Sequence, residues 1–392
     1  MNHGGGIMPP PPENKRKEKR TMNVLHLLVS GGTGGIEILM KNYAQHSTHR
    51  NIFVFAWKSG DVAKMMEQNG VPVYTTDAGN DGIWTTLKKI RQICLLEKAD
   101  VVVSHNSAPL LKLALIYIKL TIPGVHTVAY AHANAWDICD SNRKKGLWFR
   151  KTVQYLGFRM ADGIVAISDS VKKSLQNNLH INPDKVRRIY NGTPLNSEMI
   201  CSGKNRESTG LMLIYVGRLI REKGIHVTLQ KLAEIQEEIP FSFTIVGDGP
   251  YRKELEDLVS ELDLSTQVCF LGQRMDVQSL LREADVFVHL PVWEEGFGIT
   301  VIEAMASGLI CVVNKRGSLP EIIQNDVNGF VIDENPETLK NTLRHLLDMP
   351  SDEWFRFQDA VYSRAEDFSI DAFAKTLDQY FLEICRTQNG LA

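Results

Sequence analysis

The 392 residues carry 43% apolar and 23% charged side chains, a balance that excludes a disordered chain and suits two domains better than one core. The net charge of -2 shows no basic excess, so no nucleic-acid partner is expected and any anionic ligand must be held by local groups. The six cysteines, Cys94, Cys139, Cys201, Cys269, Cys311 and Cys385, stand singly with no CxxC pair or zinc spacing, which fits a reducing cytoplasm.

Residues 1–21 read as a floppy tail of glycines, prolines and basic residues, and no apolar run follows that would make a signal peptide. Strands are expected over residues 23–29, 51–56, 71–75, 101–104, 127–131 and 163–167, with helices over 37–45, 62–68 and 84–97. The most apolar stretch, 110–122, contains Lys112 and Lys119 and is too short to span a bilayer, so it reads as a core-facing helix. The other reading of it is a helix whose lysines snorkel while its apolar side touches a membrane. After a polar gap the same grammar restarts. Strands are expected over 212–216, 242–246, 268–271, 286–290 and 310–314 and near Phe330, with helices over 225–235, 251–261, 277–283, 301–306, 336–347 and 370–386.

Strands that are apolar throughout, without alternation, require a parallel sheet covered on both faces. The expected fold class is therefore α/β, with two facing Rossmann-like domains at residues 22–197 and 211–366 joined by a linker at 198–210. Ligands of such sheets lie beyond the carboxyl ends of the strands, so a deep interdomain cleft is the expected site.

Gly31, Gly32, Gly34 and Gly35 follow the first strand and precede a helix, leaving its amino end open to an anionic group. Their spacing is not that of a dinucleotide fingerprint and no Walker lysine follows, so a plain tight turn stays open as the alternative. His132, just past a strand, can exchange a hydrogen bond or proton with a ligand hydroxyl, or serve as a satisfied structural histidine; His105 has the same position with weaker company. Gly217, Arg218 and Lys223 follow the first strand of the second unit. A forked guanidinium and a nearby ammonium there would stabilise charge developing on a departing diphosphate, the alternative being a solvated charge cluster. Gly249 and Pro250 form a turn that lets a flat base or ribose approach. In the loop and helix from Glu295 to Glu303, the two carboxylates can each accept from vicinal hydroxyls. Between them the amides of Gly298, Ile299 and Thr300 can meet phosphate oxygens. Phe297, between two glycines, reads as exposed for a ligand.

Together these segments resemble the retaining glycosyltransferases of family 4, which have the GT-B fold. The resemblance covers nearly the whole chain from Met22. It rests on GGTGG at residues 31–35, AISDS at 166–170, YNGT at 190–193, VGRLIREKG at 216–224, GDGP at 247–250 and EGFGITVIEAMASG at 295–308, with Glu295 and Glu303 in the family's spacing. By that resemblance Arg218 and Lys223 grip a donor diphosphate, Glu295 contacts the transferred sugar and Glu303 the ribose. His132 sits beside the sugar, the Gly34–Gly35 region lies near the diphosphate and acceptor, and Asn191 joins the substrate-binding set. The implied donor is a nucleotide sugar, UDP-linked in preference to GDP- or ADP-linked, used without a cofactor or divalent metal. The last segment, residues 367–392, is implied to cross back onto the first domain. The expected acceptor is a hydroxyl of a glycan or lipid-linked molecule in surface polysaccharide or glycolipid assembly. The segment 143–151, basic and aromatic, suits peripheral contact with an anionic membrane on the cytoplasmic face; a solvated helix with Trp148 or Phe149 turned inward is its alternative. The chain departs from the family pattern at Val292, at Thr193–Pro194 and at Ser318, the last read as a local loop difference. The competing reading of the whole chain is a non-catalytic sugar-nucleotide-binding or glycan-assembly protein with the same fold.

Overall fold

Runs such as NVLHLLVS and ICVVN bury every side chain or nearly so, and each lies between two neighbouring strands. The computed structural model describes residues 21–105, 108–134, 147–195 and 210–387. The tail at 1–20, residues 143–146 of the basic segment, most of the expected linker, Cys139, Cys201 and residues 388–392 lie outside the described residues.

Seven parallel strands form the first sheet: β1 (Asn23–Ser30), β2 (Arg50–Lys58), β3 (Val73–Thr75), β4 (Val101–Ser104), β5 (His126–Ala131), β6 (Gly163–Ala166) and β7 (Val186–Arg188), in the order β3-β2-β1-β4-β5-β6-β7. Its helices are α1 (Gly35–His46), α2 (Asp61–Gln68), α3 (Ala78–Leu96), α4 (Pro109–Thr121), α5 (Leu147–Met160) and α6 (Asp169–Leu179). The second sheet has six parallel strands, β8 (Leu211–Val216), β9 (Phe241–Val246), β10 (Val268–Gly272), β11 (Val286–His289), β12 (Ile310–Asn314) and β13 (Phe330–Ile332), in the order β10-β9-β8-β11-β12-β13. Its helices are α7 (Ile225–Ala233), α8 (Arg252–Glu261), α9 (Val277–Glu283), α10 (Ile299–Ala306), α11 (Leu319–Ile322), α12 (Pro336–Asp348) and α13 (Ser351–Glu366), and α14 (Ile370–Thr387) closes the described chain. This is the GT-B fold, two Rossmann-like sheets each flanked by helices.

Both sheets reverse strand order at the same place, between β1 and β4 and between β8 and β11. A crevice opens at such a switch point. The glycine-rich loop and His105 follow β1 and β4, and the Arg218 loop and the Glu295 loop follow β8 and β11. Topology alone thus gathers most of the predicted site.

The sheets are joined through several contacts. Glu321 of α11 accepts the amide hydrogens of Asp169 (2.8 Å) and Ser170 (2.7 Å), capping the amino end of α6 with a carboxylate from the other sheet's helix layer. Ser168 Oγ donates to the Gly296 carbonyl at 2.8 Å and Asn134 Nδ2 to the Glu294 carbonyl at 3.0 Å. The chain crosses between the halves near Thr193 and again near Ser369, and these crossings are tied by Thr193 N–H to Phe368 O (3.0 Å) and Ile370 N–H to Thr193 O (2.9 Å).

Helix α14 then lies against α1. Buried Asp378 accepts from Tyr43 Oη (2.7 Å), Ser47 Oγ (2.7 Å), Thr48 N (2.7 Å) and Thr48 Oγ1 (2.8 Å).

The lysines of α4 do not snorkel. Lys112 is fully buried, donates to Ser104 Oγ at 2.8 Å and lies 4.4 Å from the centre of the Phe158 ring, while Lys119 is paired with Asp162. Burial lowers the Lys112 pKa to about 7. Gly157 of α5 makes room for it, since a Cβ there would be 2.7 Å from Lys112 Cβ.

Asp378→Ala should lower the stability of the whole chain by about 3 kcal/mol, because four donors lose one acceptor and one of them, the Tyr43 hydroxyl, is fully buried. Urea denaturation checks this; a change within error would show that α14 is not fastened through Asp378.

Candidate active site

The second sheet's site is built on the ends of β8 and β11. After β8 the chain passes Gly217 and exposed Arg218, whose guanidinium has no partner among the described residues. A 3-10 turn, Arg221–Lys223, ends at Gly224 with φ of 70°, where a Cβ would stand 1.9 Å from the Leu290 carbonyl oxygen. Only glycine allows that turn to rest on the end of β11. The contact delivers Lys223 Nζ to 2.7 Å from Glu295 Oε2 and 5.7 Å from the Trp293 ring.

His289, the last residue of β11, reaches the same oxygen with Nε2 at 3.1 Å. Glu295 is only 7% exposed. Burial alone would raise its pKa, but the His289 hydrogen bond and the Lys223 charge outweigh this and bring it down to about 2. Its backbone is fixed from behind, because its carbonyl accepts Ser318 N–H at 2.9 Å and Ser318 Oγ at 3.2 Å. Gly317, with φ of 58°, allows this approach, since a Cβ there would be 2.1 Å from the same carbonyl. Ser318 is therefore no neutral loop difference but a fastening of the site. Sequence reasoning also passed over His289, whose only signal was a histidine ending an otherwise apolar strand.

Gly298 caps α10, and Ile299 and Thr300 of its first turn are half-buried. Glu303, one helical stretch further, is half-buried and has no side-chain partner among the described residues; burial raises its pKa to about 7. Phe297 does not stand exposed as the sequence suggested. It is 3% exposed and packs between Tyr190 (ring centroids 5.7 Å) and Phe368 (6.0 Å), so it belongs to the seam between the sheets. Asn191 is likewise buried beside that seam, with an Oδ1 that has no hydrogen-bond partner. Gly249 is half-buried and Pro250 exposed, in a turn joined to the Arg218 loop by Leu219 N–H to Asp248 O at 3.0 Å.

On the first sheet, Gly31 is buried and structural: its N–H donates to Lys58 O (3.0 Å) and its carbonyl accepts from Val62 and Ala63 of α2. Gly32 and Gly34 are half-buried and Gly35 exposed. The amino end of α1 is already faced by a carboxyl, that of buried Glu37, which lies so close to Gly34 that a Cβ there would be 2.3 Å from Oε2. Burial raises the Glu37 pKa. A phosphate expected beside Gly34 and Gly35 would have to share that space. His132 stands half-buried past β5 with its ring stacked on Tyr130 (4.3 Å), and its backbone carbonyl lies 3.1 Å from where a Gly296 Cβ would be. The structure thus brings His132, Lys223 and Glu295 to one seam through the contact of the 132–134 and 294–296 loops. Among the described residues, no group of three or more His, Cys, Asp and Glu side chains is placed to hold a metal ion.

Two family descriptions match this chain in succession: Glycosyltransferase Family 4 over residues 33–197 and Glycosyl transferases group 1 over residues 200–364. The chain belongs to the GT-B glycosyltransferases of this related group. An uncharacterized glycosyltransferase of Methanocaldococcus jannaschii is 33% identical over 239 residues, 57% of this chain and 60% of that protein. The UDP-Gal:alpha-D-GlcNAc-diphosphoundecaprenol alpha-1,3-galactosyltransferase of Escherichia coli is 28% identical over 253 residues, 61% of this chain and 64% of the enzyme. The chain thus spans under two thirds of the length of these curated relatives. Anabaena HepE, crystallised with UDP and glucose, shares the fold with a TM-score of 0.76 at 21% identity, over 92% of this chain and 99% of that one.

The raised Glu303 pKa carries a stability signature. Between the ordinary value of 4.5 and about 7 the unfolded chain loses this proton before the folded protein does, so stability falls as pH rises through that window. In the ligand-free protein, Glu303→Gln should therefore gain on the order of 1–3 kcal/mol over the parent at pH 8, with the gain shrinking towards pH 5. Denaturant titrations at both pH values measure it, and a pH-independent difference would refute the shifted carboxyl.

Proposed function

We propose that this glycosyltransferase transfers a glycosyl group, with retention at the anomeric carbon, from a UDP-sugar to a hydroxyl of a glycan or lipid-linked acceptor in surface polysaccharide or glycolipid assembly. The observation that carries the reading is the Lys223–Glu295–His289 cluster at the end of β11, with Arg218, unpaired among the described residues, on the loop after neighbouring β8 and the His132 loop in contact with Gly296. Relatives support the donor class: HepE binds UDP and glucose in its crystal, and the E. coli enzyme is named for a UDP-galactose donor and a diphospholipid-linked acceptor.

In this reading the acceptor oxygen bonds to the anomeric carbon on the face from which the diphosphate departs. The carbon–oxygen bond to the β-phosphate breaks with its electron pair remaining on the phosphate oxygen, and that oxygen takes the acceptor's proton. Arg218 and Lys223 stabilise the charge gathering on the diphosphate, which in a water-poor cleft is worth far more than in solvent. Glu295 stays ionised and orients the sugar, and the carboxyl of Glu303, without a side-chain partner among the described residues, accepts from ribose hydroxyls. The cations supply the neutralising charge, so turnover is expected without added divalent metal.

Lys223→Gln retains an amide donor for Glu295 but removes the charge. Its kcat with the preferred member of a UDP-, GDP- and ADP-sugar panel should fall by about 100-fold or more, read on protein shown to be folded, since loss of the charge beside buried Glu295 also lowers the melting temperature. Unchanged turnover would sink the assigned role. Nucleotide binding with no turnover across a broad acceptor panel would instead favour the non-catalytic reading.

For the acceptor side, Trp148 and Phe149 at the start of α5 are 80% and 51% exposed and do not turn inward. Beside the basic residues of segment 143–151 they suit peripheral contact with the cytoplasmic face of an anionic membrane, as a lipid-linked acceptor would require. The double variant Trp148→Ser, Phe149→Ser should co-sediment several-fold less with phosphatidylglycerol vesicles; equal co-sedimentation would refute membrane contact through α5.

A further inference from the structure

Three imidazoles stand in a row through the first sheet. His26 Nδ1 lies 2.9 Å from His105 Nε2, and His105 Nδ1 lies 3.1 Å from His132 Nε2. At the far end His26 Nε2 lies 2.9 Å from Asn51 Oδ1 on β2. Aromatic neighbours clamp the rings: His26 is stacked on Phe53 at 4.8 Å, His105 on Tyr130 at 5.0 Å and His132 on Tyr130 at 4.3 Å.

Each nitrogen–nitrogen contact holds one proton, and the Asn51 end sets its direction. Asn51 Nδ2 donates to the His49 carbonyl at 3.1 Å, so Oδ1 faces His26 and can only accept. Turning the amide over would set two oxygens against each other at that distance with no proton between them. His26 must therefore donate from Nε2 and present a bare Nδ1. His105 then donates from Nε2 to His26 and is bare at Nδ1, and His132 donates from Nε2 to His105 in the same sense. The protons leave no choice at the last ring: Nδ1 of His132 is bare. Burial keeps the row uncharged, lowering His26 to about 4, His132 to about 3 and His105 well below the usual histidine range. The nearby Lys112 charge lowers His105 and His132 further. Nδ1 of half-buried His132 has no partner among the described residues, and the His132 loop touches Gly296 at the seam.

We propose that this row fixes His132 as a hydrogen-bond acceptor, with His105, His26 and Asn51 as positioning residues, so that the sugar group meeting Nδ1 is a hydroxyl and a carboxylate is rejected there. The tautomer follows from the first sheet alone; the ligand half rests on the donor-sugar reading of the site. A hydroxyl donates to the bare nitrogen. A uronate offers only lone pairs to a ring that cannot take up a proton to receive them.

The test is nitrogen-15 NMR on the full chain labelled at histidine, near neutral pH. His26, His105 and His132 should each show a protonated Nε2 and an unprotonated Nδ1. A protonated Nδ1 on His132, or averaging between the two forms, overturns the proposal. His105→Phe, which keeps a ring beside Tyr130 and His132 but severs the row, should release His132 into a mixture of forms; an unchanged His132 in the folded variant means that His105 has no positioning role. If that variant does not fold, the parent spectrum still decides. With UDP-glucose the His132 Nδ1 signal should move as it accepts a hydroxyl, and UDP-glucuronate should bind at least about tenfold more weakly. UDP-glucose binding that leaves His132 unmoved, or equal affinity for the uronate, overturns the ligand half alone, and failure of every nucleotide sugar to bind overturns the donor reading with it.

Discussion

An ionised carboxylate sunk among β-strand ends is unstable unless charge and donors are brought to it, and Glu295 is that carboxylate here. Lys223 supplies the charge and His289 the second donor on one oxygen, which leaves Oε1 free of them. Much of the local backbone follows from this requirement. The Lys223 turn can rest on β11 only through a glycine at 224, and the loop behind Glu295 can close only through a glycine at 317 followed by Ser318. The cluster is preorganised, its charge and donors held in place by the backbone before any ligand arrives.

The second constraint is that this cluster has to meet the first sheet. The seam uses few but specific contacts: a Glu321 carboxylate on two amides of α6, single hydrogen bonds from Ser168 and Asn134, and the Tyr190–Phe297–Phe368 rings. Most lie on backbone atoms of the Glu294–Gly296 loop or of α6, so the seam positions the reactive loop while leaving its side chains for a ligand.

The two sides differ in their electrostatic character. The second sheet presents full charges, Arg218, Lys223 and Glu295. The first presents buried groups whose charged forms burial disfavours: three imidazoles, a lysine whose pKa burial lowers to about 7, and a Glu37 carboxyl shifted upward.

Fold class and most strand positions were legible in the sequence, because a strand covered on both faces must be apolar throughout and glycines must stand where strands turn into helices. The shorter β7 and helices α6 and α13 escaped notice, being polar on one side and lacking sharp boundaries. Arg218, Lys223, Glu295, Glu303 and His132 could be named from strand-end position and motif spacing. What no spacing reveals is which groups share a proton or a contact across distant strands. Phe297 and Asn191 look like ligand groups in the sequence and are buried in the seam; His289, Ser318, Glu321 and Glu37 look ordinary and are placed against the site's backbone or charge. The sequence by itself determined two parallel sheets and the chemical groups at their switch points, since periodicity and glycine placement are local properties. Only the tertiary structure decided which of those groups face the cleft and in what protonation state. Burial, and the direction of a hydrogen bond running from Asn51 to His132, depend on residues brought together from far apart in the chain.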